Sequence, residues 1–284
     1  MHHHRPRPEG SGVDRAVTSF RAPATTANLG PGFVAAGAAL DLWNELELTE
    51  GGGADESHLG VRAFSVYTSP TSWAFKWTSR IPRERGLGSS AAIVALGLVA
   101  GAWASRRDPK IEELLEAGLP LEGHADNLAP ALAGGVCLTW DGHVARIADE
   151  LPALPVAVIP ETRVSTEAAR RRLPDTVPRA DAVFTVARAT LLGASLASGD
   201  PRLFAASNDD RLHEPYRAVA ASHLSELRAD LPDGARGATL SGSGPAVIVW
   251  AERDISEELR TRYPAHDVMT LRVAKEGAHR FDKT

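Results

Sequence analysis

Residues 82–92 read PRERGLGSSAA and run straight into the apolar stretch 93–101, IVALGLVAG. Gly86 and Gly88 admit backbone angles that a Cβ forbids, so successive amide groups can turn toward one anion. A helix predicted to start at Ser89 adds first-turn amides without intrahelical partners and the positive end of its dipole. The combination suits a polyphosphate, and a serine hydroxyl at the helix start can also reach Mg2+. Taken alone, the same residues would serve equally well to cap an Ala-rich core helix.

The rest of the chain narrows the class. At 284 residues and 43% hydrophobic content it suits one large or two medium domains with a real core. A formal net charge of −5 lacks the basic excess of nucleic-acid binders, so no nucleic-acid partner is expected. A single cysteine, Cys137, excludes an intrachain disulfide and a cysteine-rich zinc site, and it fits a reducing cytoplasm. The longest apolar run, 91–104, falls short of the roughly twenty residues a membrane helix needs and reads as a buried helix, with no membrane partner. Residues 1–16 are expected to be a disordered leader, and His2, His3 and His4 to be a terminal tract rather than a metal site.

Strand-like and helix-like patterns alternate beyond the leader. Strands are predicted over 17–21 and 40–49, a strand or hairpin over 61–79, and helices over 89–105 and 111–117. A strand pair over 136–147 turns at Asp141 and Gly142. The second half opens with a strand over 154–159, then helices over 165–172, 180–196 and 215–228. Strands at 237–240, 246–251 and 268–273 follow, with a helix near 256–263. A boundary near residue 150 divides the chain into 17–150 and 151–284, an α+β protein of two layered halves.

Two further small-residue segments stand out. Residues 23–37, PATTANLGPGFVAAG, place Thr25, Thr26 and Asn28 on a sharply turned loop, and residues 240–246, LSGSGPA, join two apolar strands. Each allows close backbone approach to a ligand, or merely a tight connection between strands.

Seven segments in order resemble the GHMP small-molecule kinases, and most closely the homoserine kinases among them: PATTANLGPG at 23–32, RGLGSSAA at 85–92, EGHADNLAP at 122–130, the pair Gly134 and Gly135, STEAARRRLP at 165–174, HEPYR at 213–217, and LSGSGP at 240–245. The resemblance spans about residues 17–273. It implies a two-domain α+β GHMP-kinase fold, with an N-terminal ATP-binding half like domain 2 of ribosomal protein S5, containing a left-handed βαβ unit, and a ferredoxin-like C-terminal half. It also implies ATP- and Mg2+-dependent phosphorylation of the L-homoserine side-chain hydroxyl in threonine biosynthesis, in the cytoplasm. A homodimer is common in that family.

The same resemblance assigns residues. ATP phosphates would lie on Pro82, Arg85, Gly86, Leu87, Gly88, Ser89, Ser90, Ala91 and Ala92. Mg2+ would lie on Ser90 and Glu122, with Glu116 as the alternative carboxylate. Asn127 would orient the acceptor hydroxyl in place of a catalytic base, leaving Asp126 and His124 as candidate base and neighbour, or as helix-capping residues. Substrate would meet Asn28, Thr166, Arg170, Arg217, Gly242 and Gly244. The forked guanidinium groups of Arg170 and Arg217 suit a carboxylate, and both count among the catalytic residues. Arg171 and Arg172 are expected in solvent, with His213 and Glu214 orienting Arg217. One position departs from the family: homoserine kinases typically read GPGFD, with an Asp that contacts homoserine, where this chain has Val34. Another small alcohol as acceptor, or nucleotide binding without turnover, stays open at this stage.

Overall fold

Alternation in the first strand, β1 (Thr18–Ala27), buries Phe20, Ala22 and Ala24. It pairs antiparallel with β2 (Ala36–Glu50), from Thr18 opposite Leu48 to Ala27 opposite Gly37, and the register shifts after Pro23, which has no N–H for the ladder. The computed structural model describes residues 16–283. The expected leader, including His2, His3 and His4, lies outside them apart from Ala16.

Where a strand or hairpin was expected over 61–79, the chain first forms α1 (Leu59–Phe64) and only then β3 (Trp73–Thr78). The His58 ring accepts the Gly60 N–H at 3.2 Å, and this cap starts a helical turn that buries Val61 and Phe64. Next come α2 (Ser89–Ala104), α3 (Ile111–Glu122), α4 (Ala125–Ala133), β4 (Val136–Trp140) and β5 (His143–Ala148). The β4–β5 turn has positive φ at Asp141 and Gly142, as that dipeptide favours. Both β3 and β4 pair antiparallel with β2 and so run parallel to one another, with α2 to α4 in the crossover.

The second half contains β6 (Leu154–Pro160), α5 (Thr166–Arg170), α6 (Arg179–Ser198), α7 (Pro201–Ser207), α8 (Glu214–Arg217) and α9 (Ser222–Ala229). It continues through β7 (Ala235–Leu240), β8 (Val247–Ala251), α10 (Ser256–Arg262) and β9 (His266–Thr270), and ends with β10 (His279–Phe281). Strands β7-β8-β6-β9 form an antiparallel sheet in the order of a ferredoxin-like unit, while β10 returns to pair with β1 in the six-stranded first sheet. The larger core joins both halves, bringing Phe20, Leu40 and Leu96 into one cluster with Leu192, Phe204 and Trp250.

One further sequence expectation changes here. The single helix expected over 215–228 breaks at Ala221, with φ −139° and ψ 59°, because Glu214 ties α8 to β7 while α9 buries Leu224 and Leu227 in a separate cluster. The run 91–104 lies, as expected, in a buried helix too short to cross a membrane, whereas among the described residues α6 is long and apolar enough to do so by length and composition. It buries Leu192 and Leu196 in the shared core and leaves Val183 and Val186 exposed.

The tie at Glu214 is a buried ionic joint. Its carboxylate accepts the Leu240 N–H at 2.7 Å and an Arg228 guanidinium N–H at 2.5 Å. Glu214→Ala leaves the Leu240 N–H without its acceptor and takes the carboxylate from Arg228, which keeps only the Ala238 and Asn208 carbonyls, and the expected result is a loss of about 3 kcal/mol of stability in chemical denaturation. A change within about 0.5 kcal/mol would show that α8 is held by other contacts.

Candidate active site

The three small-residue segments lock together at the seam between the halves. Thr25 N–H donates to the Leu87 carbonyl at 3.2 Å, Gly242 N–H to Ala27 at 3.1 Å, and Ala246 N–H to Arg85 at 3.0 Å. The Ser241 hydroxyl lies 2.9 Å from the Thr26 hydroxyl and 2.7 Å from the Gly86 carbonyl. Asn28 Nδ2 donates to Gly242 O at 2.9 Å, and Asn28 Oδ1 accepts the Val34 N–H at 3.0 Å.

Gly88 caps α2 at φ +63°, and a Cβ there would lie 1.8 Å from Thr25 Oγ1. Only glycine fits that approach. It leaves Thr25 Oγ1 free to donate to Asn127 Oδ1 at 2.8 Å, fixing the Asn127 amide. Gly37 plays the matching role under α4, where a Cβ would lie 2.0 Å from the Asp126 carbonyl oxygen. Asp126 and Asn127 are thereby held at the mouth of the phosphate-type loop. At the start of α2 the Ser90 hydroxyl donates to the Glu122 carboxylate, and the buried Ser89 hydroxyl has no hydrogen-bond partner among the described residues.

Across the cavity, α8 carries Arg217. Asp210 accepts the N–H groups of His213 at 2.7 Å and Glu214 at 2.9 Å, fixing the entry to the helix. The His213 ring lies 2.8 Å from the Gly30 carbonyl and stacks on Phe33 at 4.8 Å. The Arg217 guanidinium sits over Phe33 at 5.1 Å, with Nη1 3.4 Å from Gly242 O. Helix α5, capped by Ser165 Oγ on Ala168 N, brings Thr166 and Arg170 to the same cavity. Neither Arg170 nor Arg217 has a carboxylate ion-pair partner among the described residues.

A cavity of about 230 Å3 collects nearly all the sequence-derived residues: Asn28, Pro82, Gly86, Leu87, Gly88, Ser89, Ser90, Glu122, Asn127, Thr166, Arg170, Arg217, Gly242 and Gly244. Three stand apart. The Arg85 side chain turns away to donate to Pro160 O at 2.5 Å, and Ala91 and Ala92 are buried in the core face of α2. Glu116 is exposed on α3 and does not line the cavity. The wall also includes Phe33, Val34, Glu84, His124, Asp126, Val164, Ser165 and Ser243. His124 occupies the N-cap position of α4 without a side-chain capping hydrogen bond, and Asp126 sits in the first turn of the helix.

Burial dominates the electrostatics. Removal from water pushes the Glu122 carboxyl up to about 7; the Ser90 hydroxyl works against this and Asp126 adds to it. Burial likewise raises Asp126, although His124 and Arg217 favour its charge. It also lowers His124, with the Arg170 cation pressing the same way. Arg217 is disfavoured first by desolvation and then supported by Asp126.

Family models for the GHMP kinases N terminal domain and the GHMP kinases C terminal region match residues 58–135 and 193–266. The chain is 38% identical over 256 residues to a homoserine kinase of Clavibacter michiganensis, covering 81% of each protein. It is also 38% identical over 268 residues to a homoserine kinase of Synechococcus sp., covering 84% of this chain and 87% of the relative. A putative homoserine kinase of known structure from Listeria monocytogenes is 30% identical with a TM-score of 0.75, covering 94% of this chain and all of the other. The crystal structure of homoserine kinase from Cytophaga hutchinsonii, 24% identical, shares the fold at a TM-score of 0.84 over 97% of this chain and all of the other.

His213 gives the arginine shelf a pH signature. Burial pushes its pKa down to about 4, below the 6.5 of a free histidine, with Asp210 partly opposing. As pH falls from about 6.5 toward 4, the unfolded chain takes up this proton and the folded one does not, so this contribution to stability is full above 6.5 and lost on acidification. His213→Gln is expected to flatten the acid side of the thermal midpoint against pH. An unchanged slope would mean that His213 titrates alike in both states.

Proposed function

Since the chain belongs to the GHMP kinases, and within them to the homoserine kinases, we propose that this cavity transfers the γ-phosphoryl group of ATP to the side-chain hydroxyl of L-homoserine. The product is O-phospho-L-homoserine, on the route to threonine. The observation that carries the reading is the placing of Arg170 and Arg217, which have no carboxylate ion-pair partner among the described residues, across one cavity from the 86–90 amide cradle. A carboxylate-bearing acceptor and a polyphosphate donor would meet between them.

Phosphoryl transfer is mostly positioning and charge neutralisation. The amides of the Gly86 to Ser90 loop and the start of α2 would hold the phosphates. Ser90 and Glu122 are hard oxygen donors already in contact, and a nearby divalent cation would favour the ionised Glu122 that burial disfavours. These two residues fit Mg2+, which commonly takes one or two carboxylates plus substrate phosphates. Among the described residues no three His, Cys, Asp or Glu side chains converge as a metal cage. Bound there, Mg2+ would neutralise charge on the transferring phosphoryl group. Asn127, its Oδ1 engaged by Thr25 and one Nδ2 hydrogen by Asp126 at 3.4 Å, keeps its second Nδ2 hydrogen to direct the acceptor hydroxyl, with no protein base required. Arg170 and Arg217 would clamp the carboxylate, as the partially desolvated guanidinium over Phe33 is suited to do. A cytoplasmic enzyme of small-molecule metabolism fits this chemistry.

One observation favours a second acceptor, another small alcohol: Val34 lines the cavity at φ 62° with no charge to offer an amino group. Incubation with ATP, Mg2+ and a panel of alcohols, followed by 31P NMR, separates the two. Homoserine is expected to give the phosphate ester; turnover confined to another alcohol would replace it. Arg217→Ala should raise the homoserine KM by about 30-fold or more, and Asn127→Ala should lower kcat by on the order of 100-fold with a smaller change in KM.

A further inference from the structure

We propose that His223, His266 and Tyr263 bind a divalent transition-metal ion of the zinc type in the second half, at a site separate from the catalytic cavity. The ion would take His223 Nε2, His266 Nδ1 and Tyr263 Oη, with water in the fourth position. None of the three residues lines the cavity described above. The site goes beyond the kinase reaction and does not depend on which alcohol is the acceptor.

His223 stands in the first turn of α9, Tyr263 ends α10, and His266 opens β9. His223 is 4% exposed and Tyr263 6%. Three buried atoms, His223 Nε2, His266 Nδ1 and Tyr263 Oη, have no hydrogen-bond partner among the described residues. Buried polar atoms are rarely left so, and three at one place call for a shared ion or water. Ring spacing decides between the two. Tetrahedral Zn2+ bound at about 2.0 Å sets two ligating imidazole centroids about 5 Å apart, and an imidazole and a phenol centroid about 6 Å apart. The centroids of His223 and His266 are 4.9 Å apart, those of His223 and Tyr263 6.0 Å, and those of Tyr263 and His266 5.4 Å. A water hydrogen-bonded to both imidazoles would hold them about 6.5 Å apart.

The backbone around the rings is already tied. The His266 N–H donates to the Tyr263 carbonyl at 3.0 Å, and Arg262 joins α10 to α9 by donating to the carbonyls of Asp230 at 2.7 Å and Glu226 at 3.3 Å. Glu226 lies close enough to favour positive charge on His266, while Arg262 is itself paired with Asp230 at 3.3 Å. Burial disfavours a proton on either imidazole, which leaves each with a nitrogen lone pair. Imidazole donors suit Zn2+ rather than Mg2+. The third donor is a phenol, so the trio agrees with the lack, among the described residues, of a cage of three His, Cys, Asp or Glu side chains.

The test is calorimetric titration with Zn2+ of the full chain carrying His2→Ala, His3→Ala and His4→Ala, which removes the terminal imidazoles. Mg2+ is kept in excess to occupy hard oxygen sites. This parent is expected to bind Zn2+, to gain thermal midpoint on doing so, and to give the intense visible bands of tetrahedral Co2+ when Co2+ replaces it. His266→Gln should weaken Zn2+ by about 100-fold and Tyr263→Phe by about 10-fold, since even outer-shell changes cost about 10- to 100-fold. His266→Cys, which keeps a ligand, should hold the ion within about tenfold of the parent. The midpoint without metal checks that each variant folds. A parent that binds no Zn2+, an octahedral Co2+ spectrum, or Zn2+ held equally well by His266→Gln would overturn the proposal. Equal losses in His266→Gln and His266→Cys would overturn it too, by showing that the position shapes the fold and not the metal.

Discussion

The hydrogen bonds that tie 23–34, 85–90 and 240–246 into one knot are the constraint on which the rest of the molecule depends. Thr25, Leu87, Ala27, Gly242, Arg85 and Ala246 exchange backbone hydrogen bonds across sequence separations that no local turn could provide. The contacts require small residues because the backbones approach within van der Waals distance, as the 2.2 Å between a Cβ at Gly86 and the Ser241 carbonyl oxygen shows. Backbone amides that would otherwise be orphaned are satisfied within the knot. The start of α2 is left facing the cavity, with the Glu122 carboxylate on the Ser90 hydroxyl beside it.

From that knot the two sides of the site acquire opposite characters. The loop side offers amides, hydroxyls and the half-buried Glu122, an arrangement for phosphate and a hard cation. The α8 side offers a guanidinium laid over Phe33, itself stacked on a buried His213 and pinned through Asp210. Burial works against the charge of Arg217, Glu122 and Asp126 alike. Each is therefore poised to gain more from an oppositely charged ligand than it would in water.

Much of this was legible in the sequence because it rests on short-range chemistry. The glycine segments, the EGHADN turn and the start of α2 depend on residue types at fixed spacing, and they reappear at the cavity. The fold class and the strand pair around Asp141 and Gly142 were readable for the same reason. Other features depend on partners far along the chain. The orientation of Arg85 toward Pro160 O and the break at Ala221 have no local signature. The stretch 61–79 misled because its aromatic and β-branched residues suit a strand, while the His58 cap on Gly60 starts a helix first. Phe33, lodged between His213 and Arg217, shows nothing in GPGFV beyond being an aromatic in a loop. Asp126 was visible but ambiguous, since capping, base catalysis and ligand binding use the same residue type.

The central claim is that the knot presents phosphate on one side and an amino acid on the other. A crystal structure with a non-hydrolysable ATP analogue, Mg2+ and L-homoserine tests it most directly. The expected result places the β- and γ-phosphates on the amides of Gly86 to Ser90, with the homoserine carboxylate on Arg170 and Arg217 and its hydroxyl between Asn127 and the γ-phosphate. Phosphates bound away from the start of α2, or a homoserine carboxylate that meets neither arginine, would contradict it.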